Sequence, residues 1–385
     1  MRFWLGWSLG LALMLVVLVW GFSQWNLRYY NQYIGDRLEL LAELRHDAIA
    51  EYFSTAEAEL RFWSGNQAMK ETLTRMNVIW AAGGESVAED LTRLYVSENP
   101  NPPGYLLNLE DAGDGSAYSD LHSSIHGNAR LFVTKRGYYD FFLIGPEGDV
   151  YYTVEKESDF STNLETGPWR ETGLADVFRA AKNGQRGKII SLSDMRAYDP
   201  SAGAPALFMA TALHDDQDEF IGVLALQLPT DRILGIMAYT SGMGDSGETY
   251  LVGEDLLMRS DSRFMPDSTV LKQEVDTPTV QLALAGEQGR AVIQDYRGVE
   301  VLSAYRPLQI GKFQWAVMAE IDIAEVVDFA AAQRPGLSGA LVLIYGLSLW
   351  SVWYWRGRRL PEDGDPSDVS ALDISGESDG AGISD

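Results

Sequence analysis

The sequence predicts an α+β chain in which a long N-terminal helix and two similar modules of antiparallel sheet with flanking helices lie between two apolar segments. Three observations predict this class. Apolar residues recur every 3 or 4 positions early in the chain, one order of strands and helices occurs twice, and an uncharged run stands near each end. With 385 residues and 46% hydrophobic content, the chain can form several packed cores.

The two uncharged segments predict two transmembrane helices, over 1–26 and 336–355. The first contains no charge from Phe3 to Trp25, and each segment is long enough to cross about 30 Å of hydrocarbon. We expect an inner-membrane protein of a bacterium with both termini in the cytoplasm and the intervening residues in the periplasm or outside the cell. A cleaved signal peptide and a buried helix are the alternatives for the first and second segment. Three arginines that follow the second segment are typical of a cytoplasmic flank: Arg356, Arg358 and Arg359.

The next segment, 27–135, is predicted to begin with one long helix. Its apolar positions from 27 to 63 have the spacing of an α-helix, and a helix of that length extends about 55 Å. Such a stripe packs against the rest of its domain or against a second copy, and we expect a homodimer. The remainder is predicted to be helical near 69–77 and 85–95 and loop-like through the prolines and glycines that follow.

The middle of the chain contains an internal repeat of two strands, a short helix and three strands. The two copies define predicted modules over 136–240 and 241–330. Five-stranded antiparallel sheets with helices on one face are the natural closure of this order. The expected strands are 139–145, 150–154, 187–192, 206–213 and 222–228 in the first copy, and 249–253, 256–259, 289–296, 299–307 and 315–321 in the second. The expected helices are 173–182 and 277–285.

Composition and motifs exclude several classes of function. The net charge of -25 repels nucleic-acid phosphates, and the absence of cysteine excludes disulfides, thiolate metal sites and cysteine nucleophiles. The sequence contains no serine nucleophile motif, so we expect no enzyme, no cofactor and no metal. His122 and His126 stand four residues apart beside Asp120, but their serine and glycine neighbours predict a loop rather than a metal-binding helix face.

The two modules resemble the double Cache, PAS-like sensor domains of bacterial chemoreceptors, histidine kinases and nucleotide cyclases. Residues Gly247–Gly253 and Met258–Phe264 look like the opening of a membrane-proximal Cache module, and Asp218–Leu228 resembles the last strand of a distal one. The resemblance spans about 27–355. It implies a membrane-anchored ligand sensor involved in signal transduction, such as chemotaxis, with the first module distal to the bilayer and the second proximal.

The last segment, 356–385, departs from those receptors. After Arg359 it contains eight acidic residues and no basic one, which predicts a disordered cytoplasmic tail. A kinase or a coiled-coil relay does not fit in it, so we expect the signal to pass to a separate output protein. An envelope scaffold that binds no small molecule is the alternative function.

The resemblance also implies a ligand site in the distal module. Amino-acid-sensing relatives carry Arg-x-Trp-Tyr at the helix entrance and an Asp in the last strand. Here Trp169 matches, whereas Gly167 and Arg170 replace the Arg and Tyr, and Gln227 replaces the Asp. An ordinary α-amino acid is therefore not the expected ligand, because two charged anchors are missing. We expect a small polar or anionic ligand, held by Trp169, Arg170, Asp194, Tyr198 and Met209.

The alternative interpretation of this site is that Trp169 is a core residue and that Arg170 forms an ion pair on the surface. A guanidinium in a pocket grips a carboxylate or phosphate with two parallel hydrogen bonds, whereas an exposed one contributes little. The contacts of Arg170 and Trp169 therefore distinguish the two interpretations.

Overall fold

The computed structural model describes residues 2–83, 85–184, 190–332 and 334–357. Residues 27–330 form one compact unit, and the described parts of the two terminal segments form a second. The predicted α+β class, with a long N-terminal helix and antiparallel sheets, is confirmed. Residues 358–385, nearly all of the predicted acidic tail, lie outside the described residues.

Helices occupy the first third of the chain. They are α1 (Arg2–Ser64), α2 (Gln67–Gly83), α3 (Glu85–Thr92), which continues into a π-helical turn over Arg93–Ser97, and α4 (Ala117–Arg136). Leu44 of the predicted apolar stripe is 53% exposed, but most of the stripe lies on the buried face of α1, where Ile34, Leu38 and Leu60 are at most 7% exposed. These side chains belong to the core that the helix shares with the sheets, so the stripe packs against its own chain.

The first module contains a six-stranded antiparallel sheet with the strand order β2-β1-β6-β5-β3, and β4 pairs with β5 as well. The strands are β1 (Asp140–Ile144), β2 (Val150–Thr153), β3 (Ile190–Leu192), β4 (Arg196–Tyr198), β5 (Ala204–His214) and β6 (Phe220–Leu228). Helices α5 (Gly173–Lys182) and α6 (Thr230–Met237) complete the module. Thr172 caps α5 by accepting a hydrogen bond from the backbone N–H of Ala175. The sequence predicted five of these strands and missed β4.

The second module contains a four-stranded antiparallel sheet with the order β7-β10-β9-β8. Its elements are β7 (Glu248–Val252), α7 (Pro278–Leu284), β8 (Gly289–Gln294), β9 (Glu300–Ile310) and β10 (Phe313–Asp322), followed by α8 (Ile323–Ala332) and α9 (Arg334–Gly357). The predicted strand 256–259 is wrong, because this segment forms only isolated bridges. Leu256 has a φ of 63°, a left-handed conformation that an extended strand does not contain.

The two predicted membrane spans fall within α1 and α9. In the part of the chain that the structure describes, no helix combines the length and the apolarity that crossing a bilayer requires. The spans therefore stay predictions from the sequence.

Each face of the first sheet packs against different helices. Side chains alternate between the faces along a strand, so Phe141 and Met209 join the core with α1, α2 and α4, whereas Phe142 and Phe208 join the core with α5. We call these the α1 face and the α5 face. Which face a residue lies on decides which pocket it can line.

Candidate ligand-binding site

The five predicted site residues do not line one pocket. Tyr198 and Trp169 pack on the α5 face, whereas Met209 is 2% exposed and lies in the core on the α1 face. The two faces are separated by the thickness of the sheet. Met209 therefore does not meet the ligand that Tyr198 would meet.

Asp194 joins the two modules instead of facing a ligand. Its carboxylate accepts hydrogen bonds from Arg259 Nη2 at 2.7 Å, from Arg259 Nε at 3.3 Å and from Trp315 Nε1 at 3.0 Å. The Arg259 side chain is completely buried and that of Asp194 is 18% exposed. Since Arg259 and Trp315 belong to the second module, this carboxylate links the turn before β4 to the neighbouring sheet.

Trp169 and Arg170 make the contacts expected of a core residue and a surface ion pair. The indole N–H of Trp169 donates to the carbonyl oxygen of Ser158 at 3.0 Å, and its ring packs against the α5-face core. The Arg170 side chain is 53% exposed, and its guanidinium lies 3.9 Å from Glu171. This arginine is therefore on the surface and not in a closed anion pocket.

A different group of polar residues, some buried and some half-buried, lies at the end of the sheet where β1 begins and β6 ends. Asp140 and Gln227 stand directly opposite each other on these two strands. The loop after β2 turns back toward them at Lys156, whose φ is 62° and whose backbone N–H donates to Thr153 Oγ1 at 2.8 Å. We call this group the acidic cluster, and its members are Asp140, Glu155, Lys156, Glu157, Asp159, Ser201 and Gln227.

Hydrogen bonds connect one side of the acidic cluster. The hydroxyl of Tyr198 donates to Asp159 Oδ2 at 2.5 Å. Gln227 Nε2 donates to Ser201 Oγ at 3.1 Å, and this hydroxyl donates in turn to Glu157 Oε2 at 2.7 Å. Asp140 Oδ1 accepts from backbone N–H groups, among them that of Val154 at 2.7 Å. These contacts hold the acids in fixed positions.

The other side of the cluster is incomplete. Among the residues that the structure describes, Asp140 Oδ2, Asp159 Oδ1 and Gln227 Oε1 are buried without a hydrogen-bond partner. The three residues are at most 3% exposed. A buried acceptor that lacks a donor destabilises a protein by about 1–3 kcal/mol. Three such acceptors in one cluster therefore indicate a site for a hydrogen-bond donor.

Burial also shifts the pKa values in the cluster. It raises the pKa of Asp159 to about 7, although the hydroxyl of Tyr198 opposes the shift, and it raises the pKa of Glu155 to about 7. Burial and the charge of Asp159 raise the pKa of Asp140 well above its usual range. Burial lowers the pKa of the single amine, Lys156, to about 7. Three carboxyl groups, those of Asp140, Glu155 and Asp159, thus surround one weakly basic amine, and a further positive charge is favourable there.

The histidine pair lies on a helix, so the predicted loop is wrong. Ser116 caps α4 and Gly137 ends it in a left-handed conformation, which fixes the helix around both rings. The rings of His122 and His126 stack at 4.4 Å, and both are buried. Burial lowers the pKa of His126 to about 3. Its two ring nitrogens lie 2.7 Å from the Leu107 carbonyl oxygen and 2.8 Å from the Tyr152 hydroxyl, so this residue serves packing.

Comparisons with known proteins show what this chain is similar to. The Cache domain family matches residues 28–328. The sensory domain of the Campylobacter jejuni chemoreceptor Tlp3 is 12% identical, with 79% of this chain and 99% of that chain covered and a TM-score of 0.48. The ligand-binding domain of the Pseudomonas fluorescens chemoreceptor CtaA, in complex with L-serine, is 13% identical, with 71% and 98% covered and a TM-score of 0.36.

A third solved structure is the ligand-binding domain of the Pseudomonas aeruginosa amino acid chemoreceptor PctC in complex with GABA. It is 16% identical, with 65% of this chain and 95% of that chain covered and a TM-score of 0.37. No curated protein matches the sequence. Because the family match covers well over half of the sequence, the chain belongs to the Cache domain family, as the resemblance predicted.

Proposed function

We propose that this chain is an extracytoplasmic sensor whose first Cache module binds a small molecule through a positively charged amine at the acidic cluster. The observation that supports this is the set of buried, partnerless oxygens on Asp140, Asp159 and Gln227 in the described structure. An ammonium group carries one positive charge and three N–H donors. It therefore matches both the charge and the hydrogen-bonding deficit of the cluster.

This proposal changes the ligand class that the sequence indicated. An anion would need a cation beside it, but Arg170 is exposed and Lys156 is the one amine among the four carboxyl groups of the acidic cluster. Bringing a second anion close to buried carboxylates is unfavourable at low dielectric. We therefore place the amine end of the ligand at the cluster.

Binding at the cluster also offers a route for the signal. The Tyr198 hydroxyl donates a hydrogen bond to the Asp159 carboxylate, and a ligand amine would compete with it for that carboxylate. Tyr198 ends the short strand β4, which follows Asp194 almost directly in the chain. Asp194 bonds to Arg259 and Trp315 of the second module, so a shift of β4 is passed to that sheet. The proposed order is ligand, Tyr198, Asp194 and then the second module.

A thermal-shift screen of the full-length chain tests the proposal. Amines, amino acids and polyamines are compared with anionic and neutral analogues of similar size. A ligand at 100 times its Kd adds about 2.7 kcal/mol of stability, which raises the melting temperature by about 5 °C. We expect amines alone to produce the shift. An envelope scaffold that binds nothing small predicts no shift with any compound.

Variants then locate the binding. Asp159→Asn keeps the side-chain volume but removes the charge, and we expect it to abolish the shift. Asp216→Asn is the matched control, because Asp216 is exposed in the turn between β5 and β6. Equal ligand shifts in both variants would place the site elsewhere in the chain.

The location outside the cytoplasm is part of the same proposal. Its support is the two uncharged sequence segments and the arginines at 356, 358 and 359. Cell fractionation followed by protease treatment of spheroplasts tests it. We expect the chain in the membrane fraction and cleavage of residues 27–330 from outside. Protection of these residues in spheroplasts, or recovery of the chain in the cytoplasm, contradicts this location.

A further inference from the structure

The second module contains its own group of buried carboxylates. Glu248 begins β7, Glu320 lies near the end of β10, and Asp295 follows β8. One oxygen from each carboxylate lies within 4.8 Å of the others, and all three residues are buried. We call these residues the carboxylate trio.

Two members of the trio form a like-charge pair across neighbouring strands. The register of β7 and β10 places Glu248 directly opposite Glu320, and these residues are 2% and 1% exposed. Like charges that face each other across strands destabilise a sheet, and burial strengthens the repulsion. The one guanidinium in contact with the trio belongs, among the described residues, to Arg297, which bonds Asp295 at 2.6 Å but shares its charge with Asp322 at 2.7 Å.

Partnerless atoms converge on the same place. Within the described ranges, neither the carboxylate oxygens of Glu320 nor the hydroxyl of Tyr250 makes a hydrogen bond of normal geometry. The side chains that approach the Glu320 carboxylate are the hydroxyls of Tyr250 and Ser303. Tyr250 is completely buried, stands two residues after Glu248 on β7 and therefore lies on the same face of the sheet. In contrast, Glu248 accepts from Tyr296 at 2.7 Å and from Ser262 at 3.1 Å.

We propose that the carboxylate trio and the Tyr250 hydroxyl bind a divalent metal cation, with Ca²⁺ as the preferred ion. The donors are all oxygen atoms, which hard cations select. Calcium takes 6–8 oxygen ligands at about 2.3–2.6 Å, so two ligands on opposite sides of the ion are about 4.8 Å apart. The spacing of the trio fits that geometry, and bidentate carboxylates supply enough oxygens.

This site would stabilise the end of β10, the strand that leads directly into α8. Bound cation would join β7, β10 and the turn after β8, and would remove the repulsion between Glu248 and Glu320. The proposal is independent of the amine site in the first module, because the two sets of residues share no member.

The test uses the full-length chain, stripped with a chelator and then titrated with CaCl₂ or MgCl₂ at constant ionic strength. We expect Ca²⁺ to raise the melting temperature by about 5 °C at saturation and to bind with one ion per chain in calorimetry. We expect Mg²⁺ to bind at least about tenfold more weakly, because it requires shorter, octahedral coordination. No stabilisation by millimolar Ca²⁺ overturns the proposal.

Variants separate a cation from a proton as the group that neutralises the trio. Glu320→Gln should abolish the Ca²⁺ shift, whereas Glu287→Gln, an exposed acid in the turn after α7, should retain it. The proposal is overturned if the metal-free Glu320→Gln chain has a higher melting temperature than the wild type and Ca²⁺ does not change the melting temperature of the wild type. That result would show that a proton neutralises the trio. If Glu320→Gln fails to fold, Tyr250→Phe is measured instead, and an unchanged Ca²⁺ affinity in that variant contradicts the assigned ligand set.

Discussion

Replacing Asp194 by alanine is expected to destabilise the unit formed by residues 27–330 by about 3 kcal/mol. Removing one partner of a buried ion pair destabilises a protein by about 3–5 kcal/mol, because the remaining charge loses its compensation. Arg259 keeps a hydrogen bond to the Leu257 carbonyl oxygen and one ion pair, to Asp255 at 2.9 Å, but that carboxylate is 48% exposed. The indole N–H of Trp315 also loses its acceptor in a buried place. The lower end of the range applies because Asp194 is itself 18% exposed.

The assay is thermal unfolding of the full-length chain. A loss of 3 kcal/mol lowers the melting temperature by about 6 °C if each kcal/mol is worth about 2 °C in a unit of this size. Asp216→Ala is the control, because its side chain is solvated in a turn, and we expect a change below about 1 °C.

A double replacement tests the physical reason. Asp194→Leu with Arg259→Met removes both charges and fills similar volumes, and such exchanges are often neutral. The double variant should therefore recover the part of the stability that is lost through the uncompensated Arg259 charge, but not the part that is lost because the Trp315 indole N–H has no acceptor. If Asp194→Ala has the same melting temperature as the control Asp216→Ala, this carboxylate does not stabilise the junction between the modules, and the proposed signal route is wrong.

Three further predictions follow from the same structure. Amine affinity, measured by calorimetry, should fall about tenfold per pH unit below pH 7, because the pKa of Asp159 is raised to about 7 and a proton then competes with the ligand. The affinity of Asp159→Asn for the amine should not change with pH in this way. Tyr198→Phe should lower the melting temperature without ligand, since Asp159 loses its donor, yet bind the amine more tightly; unchanged affinity would show that Tyr198 does not compete. Cysteines at Leu40 or Leu44, which are 55% and 53% exposed, should crosslink between chains of a dimer, whereas a cysteine at buried Leu38 should not.

The fold was accessible from the sequence because its strongest signals are periodic. A helix period that persists over dozens of residues and a strand order that occurs twice depend on many positions at once. The backbone conformation of an individual residue could not be predicted from the sequence. The strand expected at 256–259 fails on one left-handed residue, Leu256, and the loop expected at His122 is a helix because Ser116 and Gly137 cap it.

The candidate site was less accessible, because its members come from separate segments. One signal was available: Asp140 precedes the apolar residues of β1, and a buried charge at the head of a strand needs a partner. In the sequence, Gln227 is visible only as a departure from the amino-acid receptors, and its position opposite Asp140 emerges when β1 and β6 pair. The sequence predicts Met209 as a ligand contact, but it does not show which face of β5 this residue lies on, because that depends on the element that packs against each face.

Calorimetric titration of the stabilising amine into the wild-type chain and Asp159→Asn at pH 8 tests the central claim most directly. The account predicts one ligand per chain for the wild type. It predicts a Kd about 10- to 150-fold weaker for the variant, since a buried charge-assisted contact contributes about 1.5–3 kcal/mol. An equal Kd for both proteins, or tight binding of an anion that needs Asp159 protonated, would contradict the account.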